Sequence, residues 1–495
     1  MRFGVFLFST LCFLFVGTLI YNSKSKIFKV FFVIAFAISC FNISAIFFYI
    51  AEKSIISRAL INTIFISNPQ ETKEYLLGRI SFYHLIVLVI FMLAAVLLLV
   101  KFQKKEENDV VINKRLILLF FISFGLSSFS GPFGAISSEY LIYQNSKAEL
   151  KDVAETRNKY LSSNPFSVTT EKNTAKKIIV IVGESLNRNY MSLYGYSKNT
   201  TPNLLKLSTS SSSGQLFTFN NVISPEVTTV PALRKVLTNI NNVNYLPFEK
   251  CISIIDVFNK AGYESYWLSN QASLGKHDTP NTIISATADH VYFTSSKTNI
   301  KSENVATGNY YDGDLLSVFE DFLSKSDKEK KQIYFIHLLG SHFNYEDRYP
   351  PEFNVFKPRK NGDENCYLNT IVYNDWVINN IIKISQINNF DVVCYFSDHG
   401  EDLINLHNQE KYTREMSTIP FMVYLSNEYI KKQPALIECL KKSKNTPAMT
   451  DNFFHDIQLI TGVKSSIYND TESFIAKSYK INKRKVVDNT IVYDK

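Results

Sequence analysis

The sequence predicts an N-terminal α-helical bundle of four membrane spans followed by an α/β domain with a central, mostly parallel sheet. Three observations carry this. Four near-continuous apolar runs, 1–21, 27–50, 81–100 and 116–136, precede any polar domain, and each is long enough to cross a bilayer. From Lys176 onward, short apolar runs recur between stretches of helical spacing, at 178–182, 264–269, 333–339, 391–396 and 421–425. That alternation is the pattern of an α/β sheet with helices on its faces. Two of these runs stop at residues of metal-ligand type, Gly183-Glu184-Ser185 and Ser397-Asp398-His399-Gly400.

A cleaved signal peptide explains only the first apolar run, and no small-residue cleavage site follows it. A buried helical core is the alternative, and the clustering of four runs ahead of the polar chain argues against it. The fourth run is relaxed by Gly125, Gly131, Pro132 and Gly134. Lys24, Lys26 and Lys29 mark one short loop as cytoplasmic, and Lys101, Lys104, Lys105, Lys114 and Arg115 mark another. The loop 51–79, of mixed charge, then faces outside, as does everything after residue 137. The expected divisions are a transmembrane domain at 1–137, an amphipathic helix and connector at 138–172, and the α/β domain at 173–495. Helical spacing covers 148–160, and the serine-rich run 208–213 reads as a spacer.

The formal charge of +8 suits an anionic membrane surface. Its lysines are scattered, with no basic stripe interleaved with aromatics, so no nucleic-acid partner is expected. Of six cysteines, Cys12 and Cys40 fall in spans. Cys251, Cys366, Cys394 and Cys439 lie in the polar part, where an external compartment permits disulfides and sequence leaves three connectivities open. The chain has no C-x-x-C, which argues against thiolate zinc, and Cys394 inside an apolar strand reads as simply buried.

Parallel strands deliver ligands at their carboxyl ends. Alone, Glu184 reads as a helix N-terminal carboxylate and Asp398-His399 as a polar turn. Together they form a donor set for zinc or a similar divalent ion. His337, within the third run, reads as a core histidine. His342, past the end of that run, is in position to meet a substrate oxyanion or leaving group. His407, in the loop after Asp398-His399, is a weaker candidate. Pro231 followed by Ala232-Leu233-Arg234 reads as a helix start, with Thr229 at or near its N-cap. A hydroxyl there caps the helix. It also lies where phosphate binds, and metal coordination would activate it as a nucleophile. Ser185 and Thr228 are competing hydroxyls, although Ser185 lacks the G-x-S-x-G elbow.

These residues support a resemblance. Gly183-Glu184-Ser185-Leu186-Asn187-Arg188, Met191-Ser192-Leu193-Tyr194-Gly195-Tyr196 and Thr200-Thr201-Pro202-Asn203 resemble the opening of the phosphoethanolamine transferase family. Ala261-Gly262-Tyr263, Trp267 to Gln271, Gly340-Ser341-His342, Arg348-Tyr349-Pro350 and Ser397 to Glu401 complete the ordered series. That family belongs to the alkaline phosphatase/sulfatase superfamily and modifies bacterial lipopolysaccharide.

The resemblance implies a sulfatase-like catalytic domain in the periplasm, anchored to the inner membrane. It implies one zinc ion, or two, held by Glu184, Asp398, His399 and the nucleophile Thr229. His342 and His407 would lie near the transferred phosphate. Asn62, Ser67 and Glu71 are similar to the family loop that reaches toward the site, with Ser67 replacing a threonine; a solvated interfacial segment is the other reading. The implied reaction, in a monomer, moves phosphoethanolamine from phosphatidylethanolamine to lipid A or a core sugar or phosphate through a threonine-bound intermediate. A phosphoglycerol transferase or sulfatase-like hydrolase is the alternative within the superfamily, and a non-catalytic glycolipid-binding protein the alternative outside it. Two departures stand out. The family usually has five spans and four are found here, the first lacking a counterpart, through start-site choice or a shorter branch. The lipid A enzymes carry a cysteine beside the nucleophile and this chain has none, which brings it closer to members that modify core sugars.

Overall fold

The computed structural model describes residues 118, 121–122, 150–163, 165–210, 214–271, 280–294, 311–360 and 362–494. Asn62, Ser67, Glu71 and the first three expected spans lie outside them. Leu118, Phe121 and Ile122, from the fourth expected span, are helical with exposed side chains. Among the described residues, no helix is long and apolar enough to cross a membrane. The chain divides into two compact units, Met1–Glu149 and Leu150–Lys495; the account below concerns the second.

The second unit is organised by a seven-stranded sheet. In chain order its strands are β1 (Lys177–Gly183), β2 (Gly214–Phe219), β3 (Glu264–Ser269), β4 (His290–Phe293), β5 (Gln332–His337), β6 (Val392–Ser397) and β7 (Phe421–Ser426). Across the sheet the order is β2-β7-β6-β1-β5-β3-β4. All run the same way except β7, which is antiparallel to both β6 and β2. The expected mostly parallel sheet is therefore present, with β1 at its centre. Val182 is level with His337 of β5 and Phe396 of β6, and His337 is level with Ser269 of β3. Four adjacent strands thus end on one rim.

The central strands are apolar throughout because both faces are covered. Ile178, Val180 and Val182 pack with Phe335, Cys394 and Phe396 on one face. Ile179 and Ile181 pack with Tyr334, Ile336 and Tyr395 on the other. Successive strand side chains point to opposite faces, so the same run of five residues nucleates both cores. Each fully buried Ile or Val stabilises the fold by roughly 1.5–3 kcal/mol.

The first core is closed by α2 (Thr229–Val236), α3 (Ile254–Lys260) and α6 (Phe453–Thr461), and by Ala154 of the helix 150–162. The second is closed by α1 (Pro202–Thr209), α4 (Asp314–Lys325) and the long α5 (Glu364–Ile387). The result is a three-layer α/β/α domain. The helix expected over 148–160 is observed from 150 to 162. Its Arg157 is fully buried and pairs with Asp256, which also closes a capping box with Ser253 at the start of α3. The four cysteines left open as disulfides are all free, and Cys394 is fully buried in β6.

Two strands escape sequence reading. β2 follows the serine run that reads as a spacer, and it pairs only with the antiparallel β7. β4 is a short edge strand whose side chains are partly exposed.

Candidate metal centre at the carboxyl rim of the sheet

Glu184 follows β1 and Asp398-His399 follow β6, on adjacent strands whose ends are level. The hydrogen bond from Asp398 N to Gly183 O, at 3.1 Å, continues the ladder one step past the strand ends. This aims the side chains of both segments at one point. Glu184, Asp398 and His399 are all buried, and one ligand atom from each lies within 4.8 Å of the others. Glu184 Oε1 is 3.1 Å from His399 Nε2, which is 3.6 Å from Asp398 Oδ2. Donors held about 2 Å from one tetrahedral ion sit roughly 3.3 Å apart, so this spacing fits zinc. Asp398 Oδ2 is enclosed without a hydrogen-bond partner, which is the state expected of a carboxylate oxygen awaiting a cation. The other oxygen, Oδ1, accepts from the backbone N–H groups of Ser185 and His399, at 3.2 and 2.7 Å. His399 Nδ1 lies 2.8 Å from Gly400 O, which orients Nε2 toward the two carboxylates.

Without a cation the cluster holds protons. Burial disfavours the charge on His399, but Asp398 and Glu184 outweigh it and raise the imidazole to about 10. Burial also works against ionised Glu184, yet His399 holds its carboxyl well below the usual range. Asp398 is driven well above that range by burial and by Glu184.

Thr229 is brought to this cluster by α2. The N-cap is Thr228, in extended conformation, and Thr229 is the first helical residue. Its Oγ1 donates to Glu184 Oε2 at 3.0 Å. Thr229 is partly exposed, whereas the competing Ser185 is fully buried with its hydroxyl on Glu184 Oε1 at 2.8 Å. Thr228 Oγ1 accepts from Gln409 instead. Of the three hydroxyls, Thr229 alone combines contact with the cluster and access from outside.

His342 and His407 also come to the rim. The His407 ring is 5.2 Å from that of His399 and 6.2 Å from that of His342. His407 Nδ1 is 3.2 Å from Glu401 Oε2, and Tyr345 donates to the other oxygen at 3.0 Å. His399, Glu401 and His407 form a second group able to hold a cation. His342 is partly exposed, but its Nδ1 is enclosed without a partner. Burial outweighs the pull of Glu184 and pushes its imidazole down to about 3, so it is neutral at physiological pH. His337, the expected core histidine, is buried at the end of β5 with Nδ1 3.2 Å from Ser269 Oγ.

Three contributors were not singled out from sequence. Gln271, just past β3, donates to Glu184 Oε2 at 3.0 Å. Glu401 orients His407. Buried Asp312 accepts from Leu339 N, Gly340 N and Asn270 Nδ2, at 2.7, 2.8 and 2.8 Å, and so ties the loop after β5 to the loop after β3. The Trp267–Gln271 motif contained Gln271, and the Ser397–Glu401 motif contained Glu401. Asp312 lies far from any strand end and carried no signal. Gly340 adopts φ +58°, and a Cβ there would meet Glu184 O at 2.6 Å. Only glycine lets the loop bearing His342 close against the loop bearing Glu184.

Known proteins resemble this chain in sequence and fold. Phosphoethanolamine transferase EptC of Escherichia coli K12 is 29% identical over 327 residues, covering 62% of this chain and 54% of that protein. The chain thus spans about half the length of the curated relatives it matches. The crystal structure of the C-terminal periplasmic domain of EptC from E. coli superposes with a TM-score of 0.58 at 26% identity, over 66% of this chain and 96% of that one. The same domain in complex with zinc matches equally. The integral membrane lipooligosaccharide phosphoethanolamine transferase A of Neisseria meningitidis has the same fold, with a TM-score of 0.61 at 19% identity, over 92% of this chain and 88% of that one. Residues 176–463, more than half the chain and all of the rim from Glu184 to His407, match the sulfatase family model, and this protein accordingly belongs to the sulfatase family.

Proposed function

We propose that this protein is a zinc-dependent, membrane-anchored phosphoethanolamine transferase acting on lipopolysaccharide. The observation that carries the reading is the Thr229 hydroxyl hydrogen-bonded to Glu184 inside a buried carboxylate–imidazole cluster. The similarity to EptC supports the same group transfer. Glu184, Asp398, His399 and Thr229 would hold the zinc, which when bound makes the threonine hydroxyl acidic enough to ionise. A second ion would have to draw on Glu401 and His407, because the one free nitrogen of His399 faces Glu184 and Asp398.

Thr229 Oγ1 attacks the phosphorus of phosphatidylethanolamine, the bond from phosphorus to the diacylglycerol oxygen breaks, and that oxygen takes up a proton. The acceptor oxygen, from a phosphate or sugar hydroxyl of lipopolysaccharide, then attacks the same phosphorus and releases Thr229. His342, kept neutral by burial, is suited to donate a hydrogen bond to a phosphoryl oxygen in both steps. The proton given up by the Thr229 hydroxyl is the one the diacylglycerol oxygen takes up, and His342, with one ring nitrogen protonated and the other free, is suited to relay it.

The apolar runs before residue 137 anchor the chain in the inner membrane and keep the catalytic domain on the periplasmic side, close to a lipid donor. We assign Asn62, Ser67 and Glu71, in the external loop 51–79, a role in binding the lipid donor. Mass spectrometry of lipopolysaccharide from cells with and without the protein tests the reading. A phosphoethanolamine addition that requires Thr229 is expected. Unchanged lipopolysaccharide, with transfer from labelled phosphatidylglycerol or hydrolysis of a sulfate ester in its place, would overturn it.

A further inference from the structure

We infer that Glu226 is a positioning residue for Thr229, braced from behind by the hairpin β8 (Lys485–Val486) and β9 (Ile491–Val492). The inference rests on the proposed role of Thr229 as nucleophile. Glu226 lies three residues before Thr229 and is 1% exposed. Its Oε1 accepts from Lys235 Nζ in the last turn of α2, itself buried and also donating to Asn242 Oδ1 at 2.9 Å. The pair closes the lead-in segment back onto the helix that begins at Thr229.

The hairpin turn supplies the rest. Val487, Asp488 and Asn489 are consecutive left-handed residues, with φ of 53°, 50° and 63°. Non-glycine residues hold that conformation only where their surroundings impose it, and a β-branched valine least readily. The strained turn points two successive N–H groups at the lead-in. Val487 N donates to Pro225 O at 3.0 Å, and Asp488 N donates to Glu226 Oε1 at 3.1 Å. Asn489 Nδ2 donates to Asn242 O at 3.0 Å, fixing the residue that also steadies Lys235.

The segment is pinned on either side as well. Ser224 Oγ donates to the carbonyl of Asp398, a residue of the metal cluster, and Gln409 Nε2 donates to Thr228 Oγ1 at 3.3 Å. Glu226 is the one side chain between Ser224 and Thr228 that is tied both to α2 and to the hairpin. Release of its carboxylate frees the chain to rotate at Val227–Thr228 and carries the Thr229 hydroxyl off Glu184. An error of about 1 Å in the position of a reacting group can cost about 10²-fold in rate.

The test uses the full-length, zinc-loaded protein in detergent micelles containing phosphatidylethanolamine. The variants are Glu226→Gln and the apolar pair Glu226→Leu/Lys235→Met, which removes both buried charges together so that the fold survives should the single change unfold it. Each is expected to lower kcat by about 10- to 100-fold, with KM for the donor within about twofold and zinc per protein unchanged; Glu226→Asp should recover part of the loss. Either folded variant with kcat within about twofold of the wild type overturns the inference. So does a loss of kcat that tracks a loss of zinc, because the pair then only maintains the fold. Bis(p-nitrophenyl) phosphate serves as a second substrate. A wild type that cleaves this ester but not phosphatidylethanolamine sinks the donor assignment alone, and the variants are then judged on the ester. A wild type inert toward both overturns this inference too.

Discussion

Thr229 and His399 meet the two oxygens of one carboxylate: Glu184 accepts the threonine hydroxyl on Oε2 at 3.0 Å and lies 3.1 Å from the imidazole on Oε1. Glu184 thus links the hydroxyl to the imidazole from the end of the central strand β1.

Thr229→Ala should therefore remove the reaction while leaving the domain folded. Loss of an attacking hydroxyl commonly costs at least about 10³-fold in kcat. Thr229→Ser retains a hydroxyl and should keep measurable transfer. Intact-protein mass spectrometry after incubation with phosphatidylethanolamine should detect a covalent phosphoethanolamine adduct on the wild type and none on the alanine variant. An adduct on Thr229→Ala would move the chemistry to another hydroxyl.

Zinc uptake should expel protons. In the metal-free cluster, the imidazole of His399 titrates near 10 because Asp398 and Glu184 outweigh its burial, and a metal requires the unprotonated nitrogen. Calorimetric titrations of chelator-stripped protein at neutral pH, in two buffers of different ionisation enthalpy, should give different apparent heats. Equal heats would mean that the cluster is already deprotonated. Chelation should abolish transfer, and added zinc should restore it.

Gly340→Ala should weaken both the fold and the site. The added Cβ would meet the Glu184 backbone at 2.6 and 2.8 Å, in a left-handed conformation. Strain and overpacking together cost about 2–4 kcal/mol, read as a lower denaturant midpoint with reduced zinc affinity. Unchanged stability would show that the two loops part easily.

Asp375 should make stability depend on pH. From α5 it accepts the backbone N–H groups of Asn203 and Leu204 at the start of α1. Burial nonetheless lifts its carboxyl to about 6, above the roughly 3.9 of an unfolded aspartate. The folded state holds this proton more tightly than the unfolded state. Its contribution is full below about pH 4 and is lost as the pH rises through about 6. Asp375→Asn has no such proton. Between pH 4 and 7 the stability difference should move in the variant's favour by about 2–3 kcal/mol; a flat difference would refute the shift.

Much of this domain was legible because its central strands are buried on both faces, which leaves little choice but Ile, Val, Phe and Tyr at every position. Glu184 and Asp398-His399 were visible as abrupt polar stops to such runs. Thr229 was visible through Pro231, although the helix begins one residue after Thr228 and not at the proline. β2 and β4 were hidden because edge strands tolerate glycine, glutamine and histidine. Gln271 stood inside a motif but its role was hidden because a neutral amide carries no titratable signature, and Asp312 was hidden because its partners, two backbone N–H groups and the Asn270 amide, leave no pattern in sequence. The four cysteines had permitted three pairings, and packing selected none of them.

The reversed strand β7 has a consequence for how such a protein can diversify. Since β7 enters the sheet at the rim where β6 leaves it, residues 398–420 begin and end at the same edge. This excursion carries Glu401 and His407, and it can lengthen or shorten without disturbing any pairing of the seven-stranded sheet. Residues around His407 can therefore vary while Glu184 and Asp398-His399, at the ends of β1 and β6, keep their places.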